Sequence, residues 1–175
     1  MKYATIKKHD IANGPGVRVS IFVSGCHHHC KGCFNEEAWD FNYGNEFNQN
    51  TIDEIIEALK PNYIEGLSLL GGEPFEYINQ QGLLPLLKKV KELYPEKTIW
   101  AYSGFLYEEL LEMKFEETKQ ILDLIDVLVD GKFDEDLKDP MLYFRGSSNQ
   151  RVIDICKTKK ENCVILHEKN TRREN

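Results

Sequence analysis

The hydrophobic residues of this chain alternate between short β-type runs and longer helical patterns. Four short runs of aliphatic, β-branched and aromatic residues predict buried strands. They cover Val17–Val23, Gly66–Leu70, Thr98–Tyr102 and Ile125–Val129. In between, apolar residues recur every three or four positions and predict amphipathic helices. These helices cover 50–59, 80–93, 107–113 and 115–124.

The order of these elements predicts an α/β fold with a mainly parallel sheet. Each pair of successive strands is separated by helix, as parallel crossover connections require. The strands are almost continuously apolar, which is typical of burial on both faces of a sheet. We expect a single domain over residues 1–175, with further strands at 150–155 and 163–167. The charged residues 168–175 are expected to fray.

Composition and charge narrow the classes of function. The net charge of −7 argues against binding to nucleic acid or to an anionic membrane surface. No apolar run approaches the ~20 residues of a membrane span, and the first residues lack an apolar signal segment. We therefore expect a cytoplasmic protein. In that reducing compartment, clustered thiols are more often metal ligands than disulfides.

Glycine-containing polar motifs follow each of the four predicted strands. Because the carboxyl ends of parallel strands meet at one edge of a sheet, these motifs are expected to form one site. They are the cysteine loop 26–33, Gly71-Gly72-Glu73-Pro74, Tyr102-Ser103-Gly104 and Asp130-Gly131-Lys132. The glycines let backbone approach a ligand closely, and Lys132 suits a carboxylate. Glu73 is expected to orient its turn, and Ser103 either binds ligand or stabilises its turn.

The cysteine loop carries the most specific chemistry. Cys26, Cys30 and Cys33 have the spacing C-x3-C-x2-C. Three thiolates can hold three irons of a [4Fe–4S] cluster, whereas complete ligation by protein takes four cysteines. The spacing therefore predicts a cluster with one iron open to a small ligand.

A structural zinc site is the alternative for this loop, with a histidine as fourth ligand. Such sites usually pair C-x2–4-C with a second ligand pair, a pattern that Cys156 and Cys163 match poorly. We expect these two thiols to be incidental. His27–His29 are expected to face solvent or a partner, and Arg18 and Arg145 to form salt bridges or contact a ligand or partner.

The motifs together resemble the radical-SAM activases of glycyl-radical enzymes, most closely the branch that activates anaerobic ribonucleotide reductase. The resemblance runs from about Asp10 to Val152. The residue before the third cysteine is Gly32, as in this branch, whereas the wider superfamily usually has an aromatic residue there. The segment that carries it is Gly14-Pro15-Gly16-Val17-Arg18, Ser24-Gly25-Cys26, Cys30 and Cys33-Phe34-Asn35.

This resemblance implies an incomplete, laterally open (β/α) barrel of the radical-SAM type. It implies cleavage of S-adenosylmethionine at the [4Fe–4S] cluster and a glycyl radical on the large subunit of anaerobic ribonucleotide reductase. No catalytic side chain is needed beyond cluster and cofactor. Since five cysteines cannot build a second such cluster, an external one-electron donor such as flavodoxin is expected.

The resemblance also implies a set of S-adenosylmethionine contacts. They are Gly32, Cys33, Phe34, Gly71, Gly72, Glu73, Ser103, Asp130 and Lys132. Two other functions stay open on the sequence. One is a small radical-SAM enzyme acting on a small molecule, and the other is a non-catalytic zinc-binding interaction module.

Overall fold

The computed structural model describes residues 1–173 and is built on one seven-stranded mixed sheet. The strands are β1 Lys2–Asp10, β2 Val17–Val23, β3 Asn45–Glu46, β4 Ile64–Gly71, β5 Thr98–Tyr102, β6 Val127–Asp130 and β7 Arg151–Asp154. The α-helices are α1 Gln49–Leu59, α2 Tyr77–Leu93, α3 Tyr107–Glu112, α4 Glu116–Leu124 and α5 Ile155–Glu161. Short 3-10 helices occur at Glu36–Trp39 and Glu135–Leu137.

The sheet is parallel in the middle and antiparallel at both sides. Its strand order is β3-β1-β2-β4-β5-β6-β7, and β2, β4, β5 and β6 run parallel. β1, β3 and β7 pair antiparallel with their neighbours, and β3 and β7 leave the sheet open at its edges. The α/β prediction is confirmed. β1 was not predicted, because its sequence KYATIKKHD is largely polar and only partly buried.

The helices lie on one face of the parallel region. Its strands follow one another in chain order, so right-handed crossovers place every intervening helix on the same side. Alternate strand residues such as Ile21, Leu69 and Ala101 join the core formed with α1, α2 and α4. The opposite face carries a second, smaller cluster around Trp100 and Val129. The helix-free face is therefore where a ligand can reach the sheet.

Arg18 is fully buried on this helix-free face. Its guanidinium donates to the hydroxyl of Ser68 at 2.8 Å and to the carbonyls of Leu67 at 2.9 Å and Thr98 at 2.8 Å. Burial lowers its pKa to about 10. Arg18 thus ties three neighbouring strands together, and it forms no salt bridge with a carboxylate among the described residues.

The end of the described chain folds back instead of continuing the sheet. The predicted strand at 150–155 is confirmed as β7, but the one at 163–167 is wrong. There, only Leu166 pairs with β7, as an isolated bridge to Ile153 flanked by hydrogen bonds from the Asp154 N–H to the Ile165 carbonyl and from the His167 N–H to the Val152 carbonyl, and the chain then turns at residues 168–170. Of the tail expected to fray, residues 171–173 hydrogen bond to residues 141–143, and residues 174–175 lie outside the described residues. Between residues 1 and 173, no helix has the length and apolar character of a membrane span.

An ion pair at the end of β6 generates a stability prediction. Asp130 is fully buried and accepts from Arg151, which also pairs with Glu108 at 2.7 Å. Arg151→Gln should lower the free energy of unfolding by about 3 kcal/mol, because it leaves a buried carboxylate without its cation. Urea denaturation measures this change. The control Lys8→Gln breaks the exposed pair with Glu54 and should cost under about 1 kcal/mol. An equal loss of unfolding free energy in the two variants would show that the Arg151–Asp130 pair stabilises the fold no more than an exposed pair does.

Candidate functional site

One cavity of about 420 Å³ opens on the helix-free face at the carboxyl ends of the parallel strands. This volume is typical of small-molecule sites. All three clustered cysteines line it, Cys26 buried and Cys30 and Cys33 partly exposed. The four sequence motifs all contribute to its wall. Their lining residues are Cys26, Cys30, Gly32, Cys33, Phe34, Gly71, Gly72, Glu73, Ser103, Gly104 and Gly131.

Glu73 connects three of these motifs through one buried carboxylate, whose residue is only 1% exposed. Its Oε1 accepts from the Phe75 N–H at 2.8 Å and from the Ser103 hydroxyl at 3.0 Å. Its Oε2 accepts from the Gly104 N–H at 2.8 Å and lies 2.8 Å from His28 Nε2. The contact with His28 ties the cysteine loop to the other two turns.

Backbone contacts hold the glycine turn against the cysteine loop. The Gly72 N–H donates to the Val23 carbonyl at 2.7 Å, and the Glu73 N–H donates to the Gly25 carbonyl at 2.8 Å. A Cβ at Gly72 would lie 2.5 Å from the Gly25 oxygen, closer than real side chains come. Gly72 therefore permits the close packing of two loops. From the sequence, we expected this glycine to permit the close approach of a ligand.

His28 is the buried member of the histidine run. Its side chain is 7% exposed, packs edge-on to Phe105 with ring centroids 4.4 Å apart, and occupies the space left by Gly104. The prediction that all three histidines face solvent or a partner is wrong for His28, because the Glu73 carboxylate offers it a buried acceptor. His27 is exposed and contacts Glu76 at 2.8 Å, as expected.

Cys26 and Cys30 lie in environments that favour the protonated form of their thiols. Burial raises the pKa of the Cys26 thiol to about 11, and the N–H groups of His28 and His29 partly oppose this rise. Burial also raises the pKa of Cys30, against the effects of the Phe133 N–H and the Lys132 ammonium. Metal binding must therefore displace the protons from these thiols.

The donor set fits a [4Fe–4S] cluster held by three thiols. Across residues 1–173, no three histidine, cysteine, aspartate or glutamate side chains converge on a single metal position. Cubane ligands bind separate irons, so they do not need to share one centre. Cys26, Cys30 and Cys33 instead line one cavity of about 420 Å³.

Three other predicted contacts have partners inside the protein or lie away from the cavity. The Ser103 hydroxyl donates to Glu73 and accepts from the Phe105 N–H at 3.0 Å. Asp130 accepts a hydrogen bond from Arg151. Among the described residues of the fourth motif, Gly131 is the one that lines the cavity. Lys132 is exposed and lines a smaller neighbouring pocket.

Arg145 lines the cavity on the side of the last loop. Its Nη1 donates to the carbonyls of Ser148 at 3.3 Å and Gln150 at 2.5 Å. Its Nε is buried and has no hydrogen-bond partner among the described residues. The sequence left Arg145 between a salt bridge and a ligand contact, and this geometry favours a role at the cavity.

Two residues that help to form the site were not predicted from the sequence. Asn79, fully buried in the first turn of α2, donates to the carbonyls of Ser24 at 3.0 Å and Glu73 at 2.9 Å. The sequence pattern that could have identified Asn79 is its position, as a polar residue, on the same helix face as the apolar Leu83 and Leu86. Phe133 lines the cavity and acts through its backbone N–H, which no side-chain pattern reveals.

Comparison with known proteins gives matches over most of the chain. A family model described as a 4Fe-4S single cluster domain matches residues 12–153. The chain is 44% identical over 154 residues to the anaerobic ribonucleoside-triphosphate reductase-activating protein of Escherichia coli K12, covering 87% of this chain and 97% of that one. Proteins of the same name from Vibrio cholerae and Enterobacteria phage T4 are 43% and 39% identical over 152 residues. These alignments cover 86% and 87% of this chain and 96% and 93% of those relatives.

The Glu73 contacts generate a prediction that needs no cluster. Glu73→Gln replaces one acceptor oxygen by an amide NH2 group, which then faces N–H or O–H donors in a buried site. We expect the free energy of unfolding of the metal-free, reduced protein to fall by about 2 kcal/mol. Urea denaturation measures it. Glu76→Gln keeps one acceptor oxygen for the His27 N–H and changes a contact whose histidine is exposed, so it should cost less than about 0.5 kcal/mol. A Glu73→Gln protein as stable as the control would show that Glu73 does not hold the loops.

Proposed function

The chain belongs to the family of anaerobic ribonucleoside-triphosphate reductase-activating proteins, and from this premise we propose that it is a radical-SAM activase. In this proposal it cleaves S-adenosylmethionine reductively at a [4Fe–4S] cluster. It thereby generates a glycyl radical on the large subunit of anaerobic ribonucleotide reductase. The observation that carries the proposal is the placement of three thiols from one loop along the wall of one cavity.

The number of thiols is what links the cavity to this chemistry. Cys26, Cys30 and Cys33 provide three of the four ligands that a [4Fe–4S] cluster takes, so one iron stays open to the amino and carboxylate groups of S-adenosylmethionine. When bound, the cluster would supply one electron to the sulfonium, splitting a carbon–sulfur bond to give methionine and the 5′-deoxyadenosyl radical that removes the glycine hydrogen.

The remaining residues bind and orient S-adenosylmethionine. We assign contacts to the cavity wall formed by Gly32, Cys33, Phe34, Gly71 and Gly72. No side chain there needs to act as an acid or base.

Four further residues of the proposed site act through charge or position. Glu73 and Ser103 keep the wall in shape through their mutual hydrogen bond. Lys132 lies beside the cavity rather than in its wall, and its ammonium acts on the Cys30 thiol; we assign it to the methionyl carboxylate. Asp130 fixes the loop that bears Lys132 through its contact with Arg151.

The open architecture suits a polypeptide substrate. We propose that the sheet is an incomplete (β/α) barrel of the radical-SAM type and that residues 1–175 form one domain. The strand order supports this, because the sheet has two free edges and does not close. A closed barrel would exclude a glycine carried on another protein. The open side admits the reductase segment that bears the target glycine.

In this proposal the electron comes from outside the chain. The chain has five cysteines, and the two outside the loop, Cys156 and Cys163, are exposed and too few for a second cubane. We propose an external one-electron donor such as flavodoxin. We also propose a cytoplasmic location, where thiols stay reduced and available to iron.

The first test concerns the cluster ligands. Cys26→Ala, Cys30→Ala and Cys33→Ala should each abolish formation of 5′-deoxyadenosine, because the cluster loses one of its three protein ligands. Cys156→Ala and Cys163→Ala are matched controls and should keep most activity. Iron and sulfide content, visible absorption and product formation after anaerobic reconstitution measure this. A Cys30→Ala protein with a normal cluster and normal product would overturn the ligand assignment.

The second test concerns the protein substrate. Reductase carrying deuterium at the Cα of its target glycine should transfer deuterium into 5′-deoxyadenosine, because the adenosyl radical removes that hydrogen. Mass spectrometry of the product measures the transfer, with unlabelled reductase as control. Product formed at the normal rate without deuterium would reject the activase function while leaving the cluster chemistry intact.

A further inference from the structure

A short returning segment, residues 171–173, lies along residues 141–143 as an antiparallel partner. Leu142 and Arg172 form an isolated bridge between the two segments. Two backbone hydrogen bonds of 3.2 and 2.7 Å flank this bridge. They run from the Tyr143 N–H to the Thr171 carbonyl and from the Arg173 N–H to the Met141 carbonyl. Residues 141–143 therefore present one donor and one acceptor to an extended chain beside them.

The contacts that hold the returning segment are few and lie near solvent. Its three residues are exposed. Its ion pair joins Arg172 Nε to Asp139 Oδ2 at 3.2 Å, with the Arg172 side chain 66% exposed, and exposed ion pairs contribute little to stability. The guanidinium of Arg173 lies over the Tyr143 ring, 5.4 Å from its centre. An extended chain that makes more main-chain hydrogen bonds can therefore replace this segment.

The paired segments lie at the cavity that contains the three clustered cysteines. Leu142, Phe144 and, from the returning segment, Arg173 all line that cavity. Phe144 packs on Trp100 with ring centroids 5.4 Å apart, which holds the pair over the helix-free face. A chain in the place of the returning segment would bring the residue at the position of Arg173 to the cavity wall. The proposed reaction needs a glycine of another protein in the same cavity.

We propose that residues 141–143 are a docking edge for the glycine-bearing segment of the reductase large subunit, which displaces residues 171–173 and pairs in their place. This inference rests on the proposed function, since it takes the reductase as the protein substrate. Exposed strand edges bind extended peptides through main-chain hydrogen bonds. In the free protein the returning segment occupies the docking edge, and Arg173 marks the position of the target glycine.

Hydrogen–deuterium exchange of the reconstituted holoprotein, with and without the large subunit, tests the displacement. On binding, the Arg173 amide should exchange faster, because it loses the Met141 carbonyl. The Tyr143 amide should stay protected, because a reductase carbonyl replaces that of Thr171. Slower exchange at both amides would place the large subunit over an intact pair and overturn the proposal. Unchanged exchange at both amides, with the large subunit bound, would overturn it as well.

A charge reversal in the returning segment tests the competition. Arg172→Glu places a carboxylate beside Asp139 and should release the segment. Because a competitor for the docking edge is weakened, the KM for the large subunit should fall about fivefold. Formation of 5′-deoxyadenosine without reductase should stay unchanged. The matched control Lys8→Glu makes the same charge change at an exposed pair on β1 and should keep the wild-type KM.

A KM for the large subunit that is unchanged or higher in the Arg172→Glu protein, relative to the control, would overturn the docking edge. The inference and the proposed function fail separately. Faster exchange at Arg173 with a protected Tyr143 supports the docking edge even if no glycyl radical forms, whereas a glycyl radical formed with an undisturbed returning segment supports the activase and rejects the docking edge.

Discussion

The position of the loops at the site depends on one buried carboxylate, whose lost contacts with water must be replaced by hydrogen bonds. Glu73 is removed from water, which is costly for a charge unless donors replace the solvent. The donors come from three loops at the ends of three parallel strands, so satisfying Glu73 requires those loops to meet. Asn79 extends the constraint by holding the carbonyls of Ser24 and Glu73. The cysteine loop therefore has its place before any metal binds.

The strand order decides what lies beneath that loop. Successive parallel strands put all their helices on one face, and the opposite face keeps a polar and aromatic surface around Arg18 and Trp100. Residues 138–146 and 171–173 pair with each other and cover part of this face, with Phe144 packed on Trp100. The cavity remains between that cover and the cysteine loop, with thiols on its wall.

Local patterns predicted much of this fold and less of the site. The strand Thr98–Tyr102 was predicted with its exact bounds, since it is apolar and ends at a Ser-Gly turn. β1 was missed, because a polar outer strand has no apolar run to reveal it. The cysteine spacing indicated the cluster ligands, yet three identical histidines gave no sign of which one is buried. That choice depends on Glu73 and on the space at Gly104, both distant in sequence.

The most direct measurement of the proposed activity is electron paramagnetic resonance of the reductase itself. The reconstituted chain is reduced anaerobically, mixed with S-adenosylmethionine and the large subunit of anaerobic ribonucleotide reductase, and frozen. We expect an organic radical on the large subunit whose splitting, caused by the remaining Cα hydrogen, collapses when its glycine is deuterated. A reduced cluster that persists beside S-adenosylmethionine and the large subunit, with no organic radical on that subunit, would contradict the proposed activity.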